Sequence, residues 1–123
     1  MRPIQSLFKV RIARGITFTL ITIAILGSLM PPQIIEELTF SFSDKLIHGL
    51  YYAILTFFWL LSAKTHYIQR HIQVGLSVFF LGLTLEIMQD VLPIQRKMDI
   101  LDVLANTLGI SIAIATTRFL DIR

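Results

Sequence analysis

Four apolar runs separated by short charged segments constrain this chain more than any other feature. They cover residues 15–30, 46–63, 72–88 and about 100–120, and Pro31 and Pro32 end the first. A hydrocarbon layer of ~30 Å takes about 20 mostly apolar residues per helix. A chain of 123 residues therefore has room for four spans and little else. Each run is slightly short, so flanking residues extend it into the headgroup layer, where long side chains snorkel. The expected fold is all-α, a four-transmembrane-helix bundle forming a single domain over 1–123, with spans at about 13–31, 45–64, 71–89 and 100–120. Composition removes the alternatives. Hydrophobic residues make up 54% of the chain and charged ones 15%, with no Cys. Soluble domains carry about 25% charged residues, so a soluble enzyme is excluded, as are a disordered tail and a disulfide-stapled module. None of the runs is amphipathic enough to lie along a membrane surface.

Short cytoplasmic segments are enriched in Lys and Arg, and this predicts the orientation. With the N-terminus inside, the inner segments hold Arg2, Lys9, Arg11, Arg14, Lys64, Arg70, Arg118 and Arg123, whereas the outer ones hold only Lys45, Arg96 and Lys97. Both termini are thus expected in the cytoplasm. The net charge of +3 is a topology signal, which leaves no basic patch for nucleic acid. The bilayer is the expected partner. A basic start followed by an apolar run also fits a signal peptide, yet the segment GSLMPPQ offers no A-x-A-like cleavage site, so an uncleaved first span is expected.

Ionisable groups near the centre of a membrane helix cost at least ~2.5 kcal/mol each, and those present usually face the bundle interior or water. Here they gather by position. Asp44, Lys45 and His48 open the second helix, Glu86 and Gln89 close the third, and Asp99, Asp102 and Asn106 open the fourth. Alternating helix direction puts all of these at one face, the outer one. Asp44 and His48 are i, i+4 neighbours, and Asp99, Asp102 and Asn106 form one stripe on a helix. Arg96 is the nearest guanidinium to these carboxylates. His48, Glu86 and Asp102 are the candidates for catalysis.

Each feature also has a plainer account. Asp44 and Asp99 serve as helix caps, Glu86 as an interhelical salt bridge to Arg96 or His48, and Tyr51 and Tyr52 as interfacial belt residues, at least one of them. Asp90, His66 and His71 are expected to be solvated loop residues. Ala105, Gly109 and Ala113 form a small-residue ridge suited to close helix packing. The polar set permits a divalent metal, Mg²⁺ or Mn²⁺ through oxygen or Zn²⁺ through imidazole and carboxylate, without requiring one. No cofactor is otherwise evident, since HExxH, GxSxG and Walker motifs and thiols are absent.

In order along the chain the polar anchors read DKxxH at 44–48, ExxQ at 86–89 and RxxDxxDxxxNxxG at 96–109. Over about residues 40–110 this pattern resembles the VanZ-like family of small bacterial integral membrane proteins. The resemblance implies a compact helical bundle in the bacterial cytoplasmic (inner) membrane. It also implies a role in the cell envelope, linked to susceptibility to the glycopeptide teicoplanin or to handling of a lipid-linked cell-wall precursor. It implies no particular biochemical activity, so two other readings stay open. One is an intramembrane, metal-assisted hydrolase or transferase acting on a lipid-linked substrate, with Asp44, His48, Glu86, Asp99 and Asp102 as ligands or acid and base. The other is a non-enzymatic membrane assembly or binding module whose polar layer is an interhelical lock.

Overall fold

Between Pro3 and Gly15 the sequence contains no helix breaker, and its Lys, Arg and Leu residues are good helix formers. The first helix, α1, accordingly starts at Ile4 and runs to Ser28, carrying its basic residues on the same rod as its apolar span. It closes with the Leu29 amide donating to the Ile25 carbonyl at 3.2 Å, just before the two prolines that cannot continue it. The other helices are α2 (Asp44–Ala63), α3 (Ile68–Val91) and α4 (Ile100–Asp121). The computed structural model describes residues 4–29, 44–63, 68–92 and 100–121, with side chains for 9–29, 45–63, 68–92 and 100–120. The expected spans hold, with shifted edges. The segments long and apolar enough to cross a membrane are Lys9–Ser28, Lys45–Ala63, Ile68–Val91 and Ile100–Leu120.

Two hydrogen bonds and the polar cluster give the helix directions. Gln89 near the end of α3 donates through Nε2 to the Ser28 carbonyl at the end of α1, at 2.9 Å. Tyr51 in the first half of α2 donates its hydroxyl to the Leu20 carbonyl in α1. The start of α4 meets the start of α2, through Lys45 and Asp102. The helices therefore run up and down in turn, with the ends of α1 and α3 level with the starts of α2 and α4. The opposite end carries Lys9, Arg11 and Arg14 on α1, Arg70 on α3 and Arg118 on α4.

Burial follows a 3.5-residue repeat. On α3 the buried face is His71, Val74, Gly75, Val78, Gly82, Leu85, Glu86 and Gln89. On α4 it includes Val103, Asn106, Ile110, Ala113 and Thr117. The large aliphatic and aromatic side chains lie mostly on the other faces, among them Leu46, Leu50, Ile54, Phe80, Leu104, Leu108 and Ile112. Small and polar residues inside with large apolar ones outside is the pattern of helices surrounded by lipid, where apolar burial does not drive helix association. This is the pattern of a membrane protein. The buried hydroxyls of Thr17, Thr56 and Thr117 are satisfied within their own helices, each donating to the carbonyl four residues back at 2.7–2.8 Å.

The most extensive helix contact is between α2 and α4. It is a crossing of small residues on both sides. A Cβ at Gly109 would stand 2.0 Å from the Gly49 carbonyl oxygen and 3.2 Å from the Ala53 nitrogen, and one at Gly49 would stand 3.3 Å from the Ala105 carbonyl oxygen. Only glycine at 109 lets the two backbones meet. Ala105 and Gly109 thus pack as the sequence ridge implies, and Ala113, further along, is buried as well. The ridge's counterpart, Gly49 and Ala53, was not evident from the sequence.

Two sequence expectations are corrected here. His71, taken as a solvated loop residue, lies on α3 and is fully buried. The reason is that α3 starts at Ile68, which places His71 on the same 3.5-residue register as Val78 and Leu85. Tyr51 and Tyr52 are not belt residues turned outward: Tyr52 is buried, and the hydroxyl of half-buried Tyr51 reaches across to α1. Asp90 is exposed as expected, although it belongs to α3 and not to a loop. His66 lies outside the described residues.

Candidate polar and metal site

The tight crossing of α2 on α4 decides which polar groups meet. Lys45 and His48 are one turn apart at the start of α2, and His48 immediately precedes Gly49, the residue that touches α4. Asp102 lies on the first turn of α4. Bringing the backbones together brings Asp102 between the two side chains. Lys45 Nζ lies 3.2 Å from Asp102 Oδ1, and His48 Nε2 lies 3.7 Å from Asp102 Oδ2. The Lys45 contact lacks hydrogen-bond alignment at Oδ1, so charge holds it rather than a directed bond. The Lys45 side chain is 41% exposed and that of Asp102 13%, so the pair sits at the rim of the bundle.

Glu86 enters from α3. At 3% exposure it is the most buried carboxylate among the described residues. One ligand atom each from His48, Glu86 and Asp102 lies within 4.8 Å of the others. The sequence-derived catalytic candidates are therefore the residues the structure brings together.

A second layer lies one turn deeper on all three helices. Four residues on from His48 is Tyr52, four back from Glu86 is Gly82, and four on from Asp102 is Asn106. The Tyr52 ring is parallel to that of His48, with centroids 6.4 Å apart and an interplanar angle of 4°. A Cβ at Gly82 would meet Asn106 Nδ2 at 3.0 Å and the Tyr52 ring at 3.1 Å. Glycine at 82 is thus what lets the Asn106 amide cross to α3 under the upper layer. Asn106 is 3% exposed and its Oδ1 has no hydrogen-bond partner; His48 Nδ1 is likewise buried and unpartnered. At 1.5 Å per residue the whole assembly occupies roughly the first 10 Å of the helices.

The remaining expected site residues separate from this cluster. Gln89 is buried, but its amide is used to tie α3 to α1. Asp44 opens α2, with its side chain outside the described part. Arg96 and Asp99 lie outside the described residues altogether. Sequence reasoning missed Tyr52, Gly82 and His71 as members of the polar interior. The signal was present for two of them, since Gly82 and His71 share the 3.5-residue register of Glu86 and Gln89 on α3.

One imidazole and two carboxylates facing one another can pass a proton between His48 and a bound group while Asp102 orients the ring. The same donors suit a divalent cation. Comparison of the chain with protein-family models, curated proteins and solved structures finds no match in any of the three.

Proposed function

We propose that this chain is a VanZ-like protein of the bacterial cytoplasmic membrane, with both termini in the cytoplasm. Its polar site, open to the outer face, acts on a lipid-linked cell-envelope precursor or alters glycopeptide susceptibility. The observation that carries this reading is the meeting of His48, Glu86 and Asp102 at one end of the helices, while Lys9, Arg11, Arg14, Arg70 and Arg118 occupy the other. Basic ends stay in the cytoplasm, so the polar site faces outward. The bilayer around the exposed apolar faces is the constant partner. The test is expression in a teicoplanin-susceptible bacterium beside His48→Ala and Glu86→Gln at matched protein levels. Wild type is expected to shift susceptibility and both variants to lose the shift. An unchanged response with wild type refutes the glycopeptide-linked part.

A second reading is supported by the 3.7 Å approach of His48 Nε2 to Asp102 Oδ2. In it the site is an enzyme that hydrolyses or transfers a lipid-linked group, with His48 as base and Asp102 holding its ring. Unchanged lipid products on expression of wild type and His48→Ala refute it. The non-enzymatic alternative is supported by the Lys45–Asp102 pair joining α2 to α4. Stable Asp102→Asn protein with a lost phenotype refutes that alternative.

A further inference from the structure

We infer that His48, Glu86 and Asp102 form a binding site for a first-row divalent cation, Zn²⁺ or Mn²⁺, with Asn106 Oδ1 as a fourth donor and the Lys45 ammonium as the cation it displaces. The inference deepens the reading of the same site as a functional one. Three ligand atoms from three different helices lie within 4.8 Å of one another. Metal–ligand bonds of about 2.0–2.2 Å need donors closer than that, so binding draws the side chains together through rotamer changes at the rim.

The independent observation is Asn106. Its side chain is almost wholly buried, crosses to α3 directly beneath the three donors, and carries a carbonyl oxygen with no hydrogen-bond partner. Polar groups buried in a bundle are normally paired, and an oxygen aimed under a carboxylate pair is matched by a cation better than by another acceptor. His48 Nδ1 repeats the pattern, being buried and unpartnered.

Lys45 supplies the third part of the reasoning. Its ammonium contacts Asp102 at 3.2 Å without hydrogen-bond alignment and is still 41% exposed, so it can swing outward. It is a tethered positive charge beside a site whose carboxylates favour one. The donor set, one nitrogen with carboxylate and amide oxygens, suits Zn²⁺ or Mn²⁺ better than Mg²⁺ or Ca²⁺, which prefer oxygen alone.

The test uses the full chain, purified in detergent, stripped with chelator and titrated with ZnCl₂ and separately with MnCl₂ by calorimetry. Retained metal is counted after dialysis, and helicity and thermal midpoint are recorded for every variant. Wild type is expected to bind about one ion per chain. His48→Ala and the Glu86→Gln/Asp102→Asn pair lower affinity by more than about tenfold, and Asn106→Leu lowers it as well. Lys45→Gln raises affinity by about fivefold, the scale of one exposed ion pair. A purely structural cluster does not produce that last result.

Absence of binding by folded wild type and folded Lys45→Gln overturns the site. So does binding that survives the double carboxylate substitution. Equal affinity in wild type and Lys45→Gln overturns the displacement. If His48→Ala fails to fold, the Lys45→Gln titration still decides the matter. Right-side-out and inside-out membrane vesicles separate this inference from the outward reading: metal reached only from the cytoplasmic side keeps the site and refutes the orientation.

Discussion

Replacing Gly109 with alanine adds one methyl group at the point where α2 and α4 touch. That Cβ would lie 2.0 Å from the Gly49 carbonyl oxygen, 2.9 Å from its carbon and 3.2 Å from the Ala53 nitrogen. Ordinary C···O contacts sit at about 3.3–3.6 Å, so the two helices must part locally by roughly 1.3 Å. Backbone atoms on both sides leave no flexible group to give way. Overpacking of this kind costs about 1–3 kcal/mol, against a helix-propensity gain of about 0.5–1 kcal/mol from removing a glycine. The net effect is a loss, and on the scale of about 4 °C per kcal/mol for a chain of this length it lowers Tm by up to about 10 °C. Parting the helices also stretches the Lys45–Asp102 and His48–Asp102 approaches, which ride on the same crossing. The assay is thermal unfolding in detergent followed by far-UV circular dichroism, with Gly15→Ala and Gly27→Ala as controls. Nothing lies within 4 Å of a Cβ at either control position, so both are expected to be neutral or slightly stabilising. Gly49→Ala falls between, since its nearest clash is 3.3 Å from the Ala105 oxygen. A Gly109→Ala protein as stable as the controls refutes the close-crossing account.

Tyr51→Phe and Gln89→Leu each remove a side-chain hydrogen bond to an α1 carbonyl, a loss of about 0.5–1.5 kcal/mol apiece. Hydrogen exchange is expected to quicken in α1 while α4 is unchanged, and uniform quickening counts against α1 being tethered at these points. Asp102→Asn lowers stability by no more than about 1 kcal/mol, because its partner Lys45 is solvent-screened; a much larger drop in thermal unfolding contradicts a rim position. His71→Ala leaves a cavity under a fully buried side chain and costs about 2–4 kcal/mol. Gln69→Ala, exposed on the same helix, stays within about 0.5 kcal/mol, and equal effects from the two refute the burial of His71.

Glu86 and Asp102 were legible in the sequence because a carboxylate inside an apolar run is an anomaly wherever it sits. Their shared level was legible too, since alternating helices put the end of α3 beside the starts of α2 and α4. Asn106 was identified from its stripe, but not its role beneath the other three, which depends on Gly82 leaving room on α3. His71 was misread because the start of α3 was set too late. A shift of a few residues at a helix edge turns a loop residue into an interior one.

The sequence by itself determined that there are four helices, that they suit a bilayer, and at which end the polar residues collect. Those are properties of run length, composition and parity, each readable one segment at a time. Only the tertiary structure decided that Lys45 and His48 share Asp102, that Tyr51 reaches α1, and that Gly109 rests on Gly49. The physical reason is the solvent. In water, hydropathy tells a helix which face to turn inward, whereas lipid is as apolar as a core of leucine. Leu50 and Leu104 face outward and Leu55 and Leu85 face inward with the same side chain. Rotation of each helix about its axis is therefore set by shape and by polar partners on other helices, and those partners lie far away in the chain.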